Sequence, residues 1–198
     1  MASTLKINNI DTASGSTITI PTGKQLIVTD EGGVRVPGTV LQVVNAEKLD
    51  TASTNSAMPS WVDTGLSCTI TPKASNSKIL VHVDYAGGVT TAAFNYFRVV
   101  RNVNGGTYAM ISEAATPGSR NAIHGMVYDS ASAGQGQTRL QTFNHLDSPA
   151  TTSAVIYKVQ IATGTGGYVY LGQSNRDNNG ADYDARASSR IVLQEIAQ

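Results

Sequence analysis

Charge is scarce in this sequence: 14 lysines and arginines and 14 aspartates and glutamates make 14% of 198 residues, where about 25% is usual for a soluble chain. The two signs cancel to a formal net charge of +0, so no global field draws the chain onto nucleic acid or an anionic membrane. Cysteine is nearly absent. Cys68 stands alone, which excludes an intrachain disulfide and a cysteine-built zinc site. In its strand-like setting, Leu66-Ser67-Cys68-Thr69-Ile70, it reads as a small buried hydrophobe. No apolar run approaches the ~18 residues of a membrane span, and Met1-Ala2-Ser3-Thr4-Leu5-Lys6 lacks the apolar stretch of a secretory signal. These absences predict a soluble chain with no nucleic-acid partner, no membrane insertion and no export by the usual signal route. A sustained 3.6-residue apolar stripe is also missing, so helix is expected over at most a turn or two, near Ala46 to Asp50.

The polar surface comes instead from 18 serines, 22 threonines and 13 asparagines, with 19 glycines for turns. Apolar residues recur with a period of two. Ile79, Val81, Val83 and Tyr85 alternate with Lys78, His82 and Asp84, and Val155, Tyr157, Val159 and Ile161 alternate with Lys158 and Gln160, as half-buried strands require. Further strands are expected over Val40 to Ala46, Leu66 to Thr71, Phe94 to Arg101, Tyr108 to Glu113, Ala122 to Tyr128, Thr138 to Leu146, Tyr168 to Gln173 and Arg190 to Ile196. Turn formers such as Asn104-Gly105-Gly106, Pro117-Gly118, Ser148-Pro149 and Asn178-Asn179-Gly180 separate them. About ten short strands at this spacing predict an all-β fold, a jelly-roll-like antiparallel sandwich.

Residues 1–37 read differently. Short apolar pieces (Leu5 and Ile7, Ile18 and Ile20, Leu26 to Val28, Val34 and Val36) recur between turn signals, and none buries a core alone. Pro37-Gly38 marks a boundary. The expectation is a stalk or attachment segment, 1–37, that winds with copies of itself, and a head, 38–198, with threefold assembly giving each chain one side of a shared apolar axis.

Several stretches, in order, carry a resemblance. Thr4-Leu5-Lys6-Ile7-Asn8-Asn9-Ile10, Leu26 to Gly33, Pro37 to Val44, Trp61 to Pro72, Ser75 to Val81, Leu146 to Pro149 with Thr152-Ser153-Ala154, Tyr157 to Gln160, and Ile191 to Ile196 resemble small tail-fibre and virion-appendage proteins of bacteriophages, particularly those of cyanobacteria. The resemblance implies a non-enzymatic virion component, a homotrimer with an N-terminal attachment segment and a C-terminal β head. It carries over no set of functional residues.

Chemistry in the sequence is sparse. His82, His124 and His145 lie far apart, without His-x3-His or His-Glu-x-x-His spacing, and read as polar strand-face residues. No nucleophile elbow, phosphate-binding loop or spaced carboxylate pair is present, so neither an enzyme nor a cofactor is expected. Asn175, Asp177, Asn179 and Gly180 match positions 1, 3, 5 and 6 of a calcium loop, but Arg186 occupies position 12, where a glutamate belongs. No metal is assigned to them. The segment Tyr168, Tyr170, Arg176, Asp177, Asn178, Asn179 and Tyr183 gathers aromatic faces, amides and a guanidinium, the mixture that sugar recognition uses, and is the candidate receptor contact. Trp61 reads as an anchor packing the start of the head.

The resulting expectation is a virion protein, assembled in the host cytoplasm and then extracellular, that attaches a phage to its host by multivalent adhesion. Its expected partners are two further copies of itself, other virion proteins through residues 1–37, and a host-surface glycan or protein. The alternatives are a capsid decoration protein and a free carbohydrate-binding module.

Overall fold

The computed structural model describes residues 19–29, 34–90, 92–129, 137–164, 166–179 and 184–198. Among them eleven strands form and no helix does. The strands are β1 (Val40–Lys48), β2 (Ala52–Thr54), β3 (Val62–Ile70), β4 (Lys78–Val89), β5 (Phe94–Val103), β6 (Ala109–Met110), β7 (Gly125–Tyr128), β8 (Arg139–Asp147), β9 (Val155–Thr163), β10 (Val169–Leu171) and β11 (Ser189–Ile196).

They build two antiparallel sheets. One runs β1-β11-β4, with β8 on the far side of β4 and the short β10 and β2 extending past the end of β11; the other runs β3-β9-β5, with β6 and β7 both on the free edge of β5. Pairing follows a nested order: β1 with β11, β3 with β9, β4 with β8, and β5 with β6 and β7. First pairs with last and inner with inner, as in a long hairpin rolled into two sheets. This is jelly-roll topology, the expected sandwich.

The alternation read in the sequence decides which side chains meet between the sheets. Ile79, Val81, Val83 and Tyr85 on β4 and Ile191 and Leu193 on β11 face Leu66, Cys68 and Ile70 on β3, Phe97 and Val99 on β5, and Val155, Tyr157, Val159 and Ile161 on β9; all are buried. Tyr85 stacks on Phe97 with ring centroids 4.6 Å apart. Each of the larger side chains contributes roughly 1.5–3 kcal/mol by leaving water. Burial also raises the Cys68 thiol above its ordinary value, leaving it inert at neutral pH.

Some expectations needed correction. Ala46 to Lys48 continue β1, paired with Ile191, Arg190 and Ser189, so the helical turn expected there is strand. Tyr108 to Glu113 shortens to Ala109–Met110, because Ser112 turns the chain with φ of 50°. The three-residue β2 is too short to show an alternation and was not foreseen.

Residues 19–29 and 34–37 contain no strand and lie exposed. The chain joins the head at Gly38, whose φ of +88° suits glycine and whose N–H donates to Ala197 O at 2.9 Å. The apolar pieces expected at Leu5, Ile7 and Ile18 fall outside the described residues.

Candidate functional site

The segment singled out in the sequence follows β9 and leads into β11. Tyr170 lies on β10, and Tyr168 precedes it with its ring stacked 6.2 Å from that of Tyr170. Beneath them the Tyr170 carbonyl accepts from buried Asn95 Nδ2 (2.9 Å) and from the Tyr85 hydroxyl (3.2 Å). The Tyr170 hydroxyl donates to Asn175 Oδ1 at 3.0 Å. Arg176 Nε reaches both Asp184 oxygens at 3.0 Å, and Arg186 grips Asp177 through Nε (3.0 Å) and Nη2 (2.8 Å). Arg186 holds the Asp177 carboxyl below the usual carboxylate range. Tyr168, Tyr170, Arg176 and Asp177 therefore share one locality, with each charged side chain bound to another. Asn178 and Asn179 are exposed beside them, and Tyr183 lies outside the described residues.

A second locality was not assembled from the sequence. On the outer face of the β3-β9-β5 sheet an open pocket of about 330 Å³ is lined by Met58, Pro59, Trp61, Arg98, Met110, Glu113, Thr116, Arg120, Asn121 and Ala122. One wall is the turn before β3, pinned where Met58 N–H donates to Thr163 O and Thr163 N–H to Ser56 O, both at 2.9 Å. The other wall is the β6–β7 connection. Its two ends are fixed by His124: Nδ1 accepts from Val99 N–H (2.9 Å), so Nε2 carries the proton and donates to Ile111 O (2.7 Å). His124 also stacks on Phe143 with centroids 3.9 Å apart. Burial, assisted by His145 and Arg98 against the Ile111 and Ser112 bonds, lowers its pKa to about 4. His124 precedes β7 and is a clamp, not the strand-face residue expected.

The floor of the pocket is Arg98 on β5. Its guanidinium sits 4.4 Å over the Trp61 ring, and Nε donates to Gln160 Oε1 at 2.9 Å. Gln160 is held in turn by Asp63, which also takes Lys158 at 2.6 Å. Burial lowers Arg98 from its ordinary value, opposed by the fields of Glu113 and Asp63; a guanidinium stays charged regardless. Trp61 thus packs against Arg98 at the start of the head and also lines the pocket. The only sequence signal for this site was the lone tryptophan, since its partners are spread from Met58 to Ala122.

On the outer face of the other sheet, Asp84 accepts from Arg190 Nε (2.7 Å) and Thr142 Oγ1 (3.1 Å), while His82 joins Asp84 to Asn144. Burial raises the Asp84 carboxyl, yet these partners outweigh it and hold the group below its usual range. Asp84 is thereby tied up in bracing β4 against β8 and β11. Among the described residues no cluster of three or more His, Cys, Asp or Glu has metal-site geometry.

No family model and no curated protein matches the chain. Among solved structures it is similar to the infectious bursal disease virus VP2 subviral particle (13% identity, TM-score 0.40, covering 79% of this chain and 38% of that one). It is similar also to infectious bursal disease virus of the Gx strain (13%, 0.40, covering 86% and 42%) and to T=1 particles derived from that virus (11%, 0.40, covering 88% and 41%). The chain spans about two-fifths of the length of those proteins.

Proposed function

We propose that this protein is a structural component of a phage particle, a homotrimeric fibre or fibre-like appendage that is fixed by residues 1–37 and presents its jelly-roll head to the host surface. One observation carries this reading: Ile20, Leu26, Ile27, Val28, Val34 and Val36 are 42–76% exposed, so the described part of the N-terminal segment offers these apolar side chains to something other than its own head. Exposed apolar side chains of this kind gain stability by burial against other chains. The head supplies a matching feature, since the outer-face row Val43, Gln194, Leu80 and Leu146 crosses a whole sheet with Val43 at 56% and Leu146 at 45% exposure. Three heads per fibre and several fibres per particle raise avidity through effective concentration, without a tight individual site.

Deleting residues 1–37 tests the assignment. The expected product is a soluble β head that no longer joins the particle, while light scattering of the full chain reports three copies. Truncated protein that decorates particles normally, or a monomeric full chain, overturns the reading. Cryo-electron microscopy separates the fibre from its nearest alternative: density on the capsid lattice instead of the tail makes the protein a decoration protein.

A further inference from the structure

We infer that the pocket between Trp61 and the β6–β7 connection binds an anionic sugar, a monosaccharide unit carrying a carboxylate or a sulfate. The inference gives the attachment reading its ligand class, and it rests on that reading only for the source of the sugar.

The argument begins with Arg98. Stacking on Trp61 at 4.4 Å and the Nε bond to Gln160 at 2.9 Å fix the plane of the guanidinium. Among the described residues neither Nη1 nor Nη2 has a hydrogen-bond partner, and Arg98 forms no ion pair. A fixed, partly buried cation with two unbonded donor nitrogens is preorganised for an acceptor that brings its own charge, and a carboxylate or sulfate matches that fork. Arg120 stands on the opposite wall, steadied by an Nη1 bond to Pro117 O at 2.9 Å and likewise without an ion pair among the described residues.

The rest of the lining selects the body of the ligand. Glu113, Asn121 and Thr116 offer acceptors and donors for hydroxyls, while Met58, Pro59 and Met110 offer apolar contact for a ring face. Two arginines against one glutamate leave a local charge of +1, suited to a singly charged ligand and too little to hold a polyanion such as nucleic acid. A volume near 330 Å³ lies at the small end of ligand sites, and the open, polar form suits a sugar better than an apolar cofactor.

Trp61 is the only tryptophan, so its emission reports this pocket alone. Purified full-length protein is titrated with methyl glucuronoside, glucose 6-sulfate and neutral methyl glucoside. At least one anionic sugar should change Trp61 emission saturably, with the neutral sugar at least about tenfold weaker. A response to the glucuronoside alone assigns a carboxylate; a response to the sulfate alone assigns a sulfate ester. Arg98→Gln should abolish the response. Because Arg98 also packs on Trp61, the deciding variant is Arg120→Gln on the exposed connection, expected to keep the melting temperature and weaken binding about tenfold. Emission unmoved by both anionic sugars, equal binding of the neutral sugar, or undiminished binding by Arg120→Gln overturns the site. Particles that need the head for attachment but whose head shows no sugar response leave the fibre reading standing and remove this site; a sugar-binding protein absent from particles does the reverse.

Discussion

The segment between β10 and β11 and the pocket beneath the β6–β7 connection hold the same kinds of side chain and use them in opposite ways. In the first, Arg176 is matched to Asp184 and Arg186 to Asp177, and the Tyr170 hydroxyl is spent on Asn175. In the second, Arg98 spends only Nε, on a neutral amide, and its two terminal nitrogens have no hydrogen-bond partner among the described residues. Residue types alone describe the two equally well. What separates them is pairing: groups that satisfy one another shape a loop, whereas groups fixed in place and left unmatched shape a site.

Both regions hang on one frame, and breaking the frame should have the largest effect. Leu193 on β11 is 0% exposed, packed between the sheets. Leu193→Asp places an unpaired carboxylate there at a cost of about 5 kcal/mol or more, comparable with the whole stability of a typical domain. The expected outcome is loss of the β circular-dichroism signal and of every binding function together. A folded variant with an unchanged melting temperature would mean that the facing of β11 is wrong.

That frame was legible in the sequence because a period of two needs only neighbours: Val155, Tyr157, Val159 and Ile161 reveal a buried face without knowledge of what covers it. The candidate sites were less legible. Sequence reading favoured Tyr168 to Tyr183 because those residues are contiguous, but contiguity does not show that Asp177 is already occupied by Arg186. The pocket has the converse property. Trp61 precedes β3, Arg98 lies on β5 and Arg120 lies beyond β6; they meet because β9 lies between β3 and β5 in the sheet, while the connection leading to β7 folds back over β5. Local pattern carries no record of such crossovers.

The next effect should come from His124, which anchors one wall of the pocket. His124 joins both ends of the β6–β7 connection to β5 and is neutral, accepting from Val99 N–H through Nδ1. Its pKa falls from 6.5 to about 4 in the folded chain, so between those values the unfolded chain takes up a proton that the folded chain refuses. Stability is therefore full above about pH 6.5, declines as the pH falls toward 4, and levels below it. The loss from this residue is about 2 kcal/mol once discounted for its partly exposed ring, or roughly 4–8 °C in melting temperature. The sulfated sugar stays charged throughout this range, so a parallel fall in its affinity reports loosening of the wall. An NMR titration placing the His124 imidazole near 6.5 would break this account.

The smallest effect should come from the segment whose charges are matched. Asp177 has a φ of 38°, a conformation that asparagine tolerates as well as aspartate, so Asp177→Asn removes the ion pair to Arg186 while leaving the backbone undisturbed. An exposed pair of this kind is screened by water and salt and contributes little. The melting temperature should move by no more than about 2 °C, with a difference that shrinks further in 1 M salt. Sugar binding read through Trp61 should be unchanged, since no lining residue of the pocket is touched. Host attachment by assembled particles is the informative measurement. Unchanged attachment leaves recognition with the pocket, whereas a large loss with an intact melting temperature would return the receptor contact to Tyr168, Tyr170, Asn178 and Asn179 and show that a self-paired loop can still be the recognising surface.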